Sequence, residues 1–376
     1  MPAAAVDVMK SRRLILVIKR SSSAGLTARG SVCPKHAVVY RRLTRRAPAR
    51  YDERLFRMAR HVTLESVRAA AARIYGVAAR TPLVRLDPLD RGAPEIFLKL
   101  ETFQPIGSFK IRGAMNAVLG LTPAERVGGV WTVSAGNAAQ GVALAAREVG
   151  VARSVLVMDG APATKLAALE RLGATIVKAP FDECWRTVET HESSRMTGRF
   201  VHPFDDDDFI SGNGTAGLEI LEDLPDVDAV VAPMGGGGLL AGIGCVMQGL
   251  QPGARVYAAE PENAAPLSVS LKAGRAMRFE GWSRSWVDGA GGQSVLPSMF
   301  ALLQPLVAGA IVVPLADAAR AMRLVADRCH VIIEGAAALA VAAARSPRLA
   351  GHKKIVAVVS GGNIDLKRFC ELTGEV

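Results

Sequence analysis

From about residue 63 onward, short apolar runs alternate with longer amphipathic stretches. Strand-like runs fall at 96–100, 129–133, 154–158, 175–178, 200–202, 229–233, 255–260 and 354–359, and an extended segment begins at 81–84. Between them, apolar residues at helical spacing predict helices over 140–150, 163–172, 181–196, 215–224, 239–250 and 315–329. Thr63, with Ser66 three residues on, has the pattern of a helix cap and opens a helix to about Gly76. This alternation predicts an α/β protein whose mostly parallel sheets are covered by helices on both faces.

A chain of 376 residues, half of them hydrophobic, favours two such three-layer α/β/α domains over one. The expected division is a large domain from 58–128 and 206–376, a small one from 129–205, and a basic, poorly ordered extension over 1–57. Residues 1–60 hold 15 Lys or Arg against Asp7, Asp52 and Glu53, so the net charge of +11 belongs to this stretch and the rest is nearly neutral. A nucleic-acid partner is therefore not expected for the globular part. The extension has the composition of a transit peptide or a basic arm, but Met58, just before a complete capped helix, is the favoured translation start. No run of eighteen apolar residues suggests a membrane span. The five cysteines form no C-x-x-C pair, which fits a reducing cytoplasm and argues against a structural zinc site.

In parallel sheets ligands bind beyond the carboxyl ends of the strands, and four junctions there are unusual. Lys110 follows the turn Gln104–Ser108 and starts an amphipathic helix marked by Ile111, Ala114, Met115 and Val118. An isolated lysine is ordinarily a solvated surface group. At a helix start, however, the positive end of the dipole and partial burial both favour its neutral amine, the form that attacks a carbonyl. Ser134-Ala135-Gly136-Asn137-Ala138 opens a second helix, where successive N–H groups suit a carboxylate, although Ser and Asn are also ordinary caps. Gly235-Gly236-Gly237-Gly238 opens a third and suits a phosphate. Gly236-x-Gly238-x-x-Ala241 also fits a dinucleotide fingerprint, with Glu260 placed as a ribose-binding acid, so an NAD-dependent oxidoreductase is the alternative from another class. Ser360-Gly361-Gly362-Asn363 by itself reads as a plain loop.

Taken together, GSFKIRGA at 107–114, SAGNAAQG at 134–141, GGGGLLAGI at 235–243 and SGGN at 360–363 resemble the pyridoxal-phosphate enzymes of the tryptophan-synthase β-subunit fold (fold type II). The similarity is to their serine/threonine dehydratase and serine racemase branch, over about residues 60–370, with VHPF and YAAEP in support. It implies pyridoxal 5'-phosphate as cofactor, held covalently by Lys110. Phe109 would pack on one face of its ring and Gly289 on the other. Gly235 to Gly238 would take its phosphate, Asn137 its ring hydroxyl and Ser360 its ring nitrogen. Backbone N–H groups of Ser134, Ala135, Gly136, Asn137 and Ala138 would hold the carboxylate of a small amino-acid substrate. The reaction implied is dehydration and deamination of L-threonine or L-serine to a 2-oxo acid and ammonia, by a homodimer or homotetramer.

Departures from the family pattern narrow this. Ala135 stands where racemases resemble one another in carrying a serine, so elimination is expected to dominate over racemisation. Ala138 replaces a common histidine and enlarges the pocket, which leaves room for a bulkier β-substituted amino acid. No carboxylate follows Glu260 at Ala264-Ala265, so no metal ligands are assigned. Asp205 to Asp208 are expected to form a solvated loop with a helix cap, and Glu334 either lies near the cofactor or caps a helix. His191 and His330 are expected on helices without catalytic roles. The short stretch after SGGN leaves no room for a regulatory domain, so feedback by isoleucine is not expected.

Overall fold

The computed structural model describes residues 60–87 and 94–374, which belong to the unit 53–376; the expectations for the basic extension lie outside them. In chain order the first part comprises α1 (Leu64–Ile74), β1 (Leu83–Arg85), β2 (Glu95–Leu100), α2 (Lys110–Gly120), α3 (Pro123–Arg126), β3 (Val130–Val133), α4 (Asn137–Val149) and β4 (Arg153–Met158). Then follow α5 (Ala163–Arg171), β5 (Thr175–Ala179), α6 (Phe181–Thr190), β6 (Arg199–Phe200), α7 (Asp207–Asp223), β7 (Ala229–Pro233), α8 (Gly238–Leu250) and β8 (Arg255–Pro261). The last are α9 (Pro266–Ala273), α10 (Pro297–Leu303), β9 (Gly309–Val313), α11 (Leu315–Cys329), α12 (Gly335–Ala344), β10 (Lys354–Val359) and α13 (Leu366–Gly374).

The strands make two sheets. Six are ordered β1-β2-β10-β7-β8-β9, with only β1 antiparallel to its neighbour, and four are ordered β5-β4-β3-β6, all parallel. The α/β reading with mostly parallel sheets therefore holds. β7 is buried along its whole length and β10 along all but its first residue, as expected of central strands covered on both faces. At α1 the Thr63 side chain accepts from Ser66 N–H while Ser66 returns the bond, and Val67, Ala70 and Ile74 form the buried stripe.

Several elements depart from the sequence pattern for physical reasons. The expected helix 215–224 starts eight residues earlier, because Asp206 caps it and the glycines inside it serve close packing. A Cβ on Gly212 would lie 2.7 Å from the Gly113 Cα, so α2 and α7 meet backbone to backbone there. α12 is almost wholly alanine and buried nearly all round, which leaves no periodicity to read. β9 lies in a continuous apolar run that fits strand and buried helix equally. His191 and His330 end their helices rather than extend them, with left-handed φ of 63° and 57°. The expected solvated acid loop is only partly solvated: Asp205 is buried and pairs with Arg60, while Asp208 is exposed.

Candidate active site

Lys110 is the first residue of α2 and its side chain is half-buried. Its Nζ donates to the Pro203 carbonyl at 2.6 Å and lies 5.1 and 5.3 Å from the ring centres of Phe109 and Phe209. Burial brings its pKa down to about 8, against the pull of the Glu334 carboxylate. The amine therefore has a substantial neutral fraction near neutral pH. Two bonds fix the turn before it: Phe109 N–H donates to the Ser360 carbonyl at 3.0 Å, and Gly362 N–H to the Gly107 carbonyl at 2.9 Å. The SGGN loop that ends β10 thus lies against the lysine turn, with Ser360 buried.

The glycine loop ends β7 and opens α8, whose first N–H groups have no partner within the helix. Gly237 takes φ 93°, which a side chain would strain, and the ring of Phe204 occupies the space a Cβ on Gly236 would need. Gly289, at φ 79°, brings its carbonyl against Gly235. Lys110, Ser360, Gly289 and the glycine loop are therefore tied into one site through the bonds and contacts of their own turns.

The Ser134–Ala138 loop ends β3 and opens α4. Its donors are fewer than the sequence offered, since Ser134 N–H donates to the Leu156 carbonyl at 3.1 Å and Gly136 N–H to the Ser134 hydroxyl at 3.0 Å. Among the described residues no bond is seen for the N–H groups of Ala135, Asn137 and Ala138. Asn137 bridges the two sheets' loops: its amide donates to Glu334 at 2.8 Å, and its oxygen accepts from Asn363 at 2.8 Å. Glu334 stands at the N-cap position of α12, but its side chain makes no cap bond and instead accepts from Asn137. Burial pushes its pKa up to about 7 in spite of the Asn137 bond.

Beneath the lysine lies a second polar cluster that motif reading did not assign. Arg112, fully buried, binds Glu101 through Nε and Nη2 at 2.7 and 2.8 Å. It binds Glu219 through Nη1 and Nη2 at 2.6 and 2.9 Å, and Lys99 adds a 2.7 Å pair to Glu219. The clue was in the motif itself, a charged residue two positions after Lys110 on a helix whose inner positions, Asn116 apart, are otherwise apolar.

Glu260 is not free to bind a ribose. Buried at the end of β8, it accepts the Leu267 and Ser268 N–H groups at 2.7 and 2.8 Å and so holds the start of α9, and burial pushes its pKa up to about 7. The dinucleotide reading loses its acid, and it leaves the Lys110 amine without work. A lysine amine low in pKa, together with a glycine-rich helix start whose first N–H groups have no partner in the helix, instead suits a phosphorylated aldehyde. The Phe204 and Gly289 contacts that exclude side chains from Gly235 and Gly236 fit such a group.

These features define an enzyme that works through a covalently held carbonyl cofactor. The chain belongs to the pyridoxal-phosphate dependent enzymes, whose family model matches residues 74–361. It is 38% identical over 308 residues to the L-threonine ammonia-lyase of Thermotoga maritima, covering 81% of this chain and 76% of the relative. It is 37% identical over 320 residues to the catabolic L-threonine dehydratase of Escherichia coli K12, covering 84% and 97%. Among solved structures, maize serine racemase superposes with a TM-score of 0.75 at 30% identity, covering 84% of this chain and 97% of that one. Among the described residues no helix is long and apolar enough to cross a membrane.

Proposed function

We propose that this chain is a cytoplasmic ammonia-lyase that dehydrates and deaminates L-threonine or L-serine to the 2-oxo acid and ammonia. The observation that carries the proposal is the Lys110 amine, low in pKa and bonded to the Pro203 carbonyl in the turn whose Phe204 ring packs on Gly236 of the glycine loop. The identity to L-threonine ammonia-lyase and dehydratase relatives over four-fifths of the chain supports the substrate class.

Bound pyridoxal phosphate supplies the electron sink for the substrate's Cα. Lys110 holds the cofactor through its amine and, once released, moves the Cα proton. The N–H groups of Gly235 to Gly238 bind the phosphate, and Phe109 and Gly289 confine the ring. Asn137 faces the ring hydroxyl. Ser360 would offer the ring nitrogen a hydroxyl rather than a carboxylate, so no negative charge would stabilise a protonated ring and the cofactor would be a weaker electron sink. The open N–H groups of the 134–138 loop orient the substrate carboxylate. Ala135 has no proton to give on the face opposite Lys110, so racemisation is slow beside elimination. The 129–205 segment, with the four-stranded sheet, acts as a small domain that closes over substrate against the segments 58–128 and 206–376. The working form is a homodimer or homotetramer.

The test is the visible absorption of the purified protein before and after L-threonine, with 2-oxo acid measured in parallel. A cofactor band that shifts, with 2-oxo acid formed, is expected. A band indifferent to threonine and serine would redirect the substrate to a bulkier β-substituted amino acid, and no band after added pyridoxal phosphate would overturn the proposal.

A further inference from the structure

His202 is buried at the end of the segment that follows β6, and its ring is fully committed. Nδ1 accepts from two backbone N–H groups, Phe204 at 3.2 Å and Asp205 at 2.7 Å, while Nε2 lies 3.0 Å from the Val188 carbonyl. Two donors at Nδ1 and an acceptor at Nε2 admit one state of the ring, neutral with its hydrogen on Nε2. The bonds close a tight turn over residues 202–205. That turn touches the site twice. The Pro203 carbonyl receives the Lys110 amine at 2.6 Å, and the Phe204 ring fills the space above Gly236. One end of the turn thus meets the lysine and the other the phosphate loop.

We infer that His202 is a positioning residue for Lys110: as the neutral Nε2–H tautomer it holds the Pro203 carbonyl as the seat to which the lysine amine returns whenever it is not bonded to the cofactor. The inference rests on the role proposed for Lys110. A carbonyl is an acceptor without net charge, so it orients the amine in both its protonated and neutral forms. A carboxylate in its place would hold the ammonium and remove the base. The Phe109 and Phe209 rings flank the same nitrogen, which restricts its travel.

The groups around His202 keep the ring neutral. Burial, and then the neighbouring His191 ring at 4.5 Å, drive its pKa down to about 3, and Lys110 acts in the same direction. The one opposing carboxylate, Asp205, is bound by Arg60 and by the Ser298 hydroxyl at 2.6 Å. A cationic ring would lose the Nδ1 acceptor and release both N–H groups of the turn.

The test uses the cofactor-loaded enzyme with 15N-labelled histidine and the variants His202→Asn and His202→Leu. The expected wild-type signature is an unprotonated Nδ1 and a protonated Nε2, unchanged between about pH 6 and pH 9. Asparagine can still offer one acceptor to the turn, whereas leucine offers none. His202→Leu should therefore lose about 100-fold in kcat per loaded site with KM changed less than about threefold, and His202→Asn should lose less than about tenfold. His202→Leu should also slow capture of pyridoxal phosphate by cofactor-stripped protein at pH 8, a readout a purely structural role would not move once folded protein is counted.

A protonated Nδ1, a cationic ring, or wild-type kcat and capture in His202→Leu would overturn the inference. Should His202→Leu not fold, the ring's state in the wild-type enzyme and the turnover of His202→Asn decide it alone. Turnover retained in Lys110→Ala would instead overturn the role of Lys110 itself, which separates the two failures.

Discussion

Two buried polar regions flank the start of α2, and they treat charge in opposite ways. On one side, Arg112 and Lys99 meet Glu101 and Glu219 in a cluster where two cations face two anions. Burial alone would raise the Glu219 carboxyl, yet the bonds from Arg112 and Lys99 hold it below the usual range. On the other side, Lys110 is half-buried and Glu334 buried, and among the described residues neither has an ionic partner within bonding distance. Their pKa values are drawn toward each other, to about 8 and about 7. Full pairing fixes the ionised state and with it the geometry of the helix. Incomplete pairing leaves protons that can be moved near neutral pH.

The sharpest way to break this comparison is to remove its reactive member. Lys110→Ala should abolish 2-oxo acid formation from L-threonine while leaving the circular dichroism spectrum unchanged, because the paired cluster beneath it is intact. Next, Arg112→Met leaves Glu101 buried without its cation and Glu219 with Lys99 alone. It should lower the unfolding free energy by about 3–5 kcal/mol in urea titrations. A loss under about 1 kcal/mol would mean that the cluster relaxes and does not hold α2.

The smallest effect concerns Glu334, whose folded pKa of about 7 lies above its ordinary 4.5. The native state binds this proton more tightly than the unfolded chain, so the contribution to stability is full below about pH 4.5 and is lost as pH rises to about 7. Glu334→Gln should remove that decline and gain at most about 3 kcal/mol at pH 8 relative to the parent, measured by urea titration across pH. Parallel curves for both proteins would show that the carboxyl is not perturbed.

The turns that carry the candidate site are legible in the sequence, and the reason is local chemistry. A lysine after a turn, glycines before a helix and a Ser-Gly-Gly loop after a strand are each set by residues adjacent in sequence. What stayed hidden depends on residues far apart. Glu334 was left between a cap and a site position because only its bond to Asn137, 197 residues away, decides the matter. Glu260 fitted a ribose-binding acid until its carboxylate was found on the first turn of α9. His202 carried no sign of its role, since its three partners are backbone groups that no side-chain pattern announces. In the fold, the same distinction explains α7 and α12. Gly212 lies where α2 and α7 meet backbone to backbone, and a helix of mostly alanine has no face to reveal.

The close approach of α2 and α7 at Gly113 and Gly212 also bears on descent. Any side chain at Gly212 collides with backbone of the helix that carries Lys110, so drift at that point is closed whatever substrate is favoured. Ala135, on the loop proposed to face substrate, is only partly buried and packs against the cluster of Ala139 and Val155. A lineage starting from this sequence can therefore change what it eliminates by altering the 134–138 loop, while the seat of its lysine is inherited unchanged.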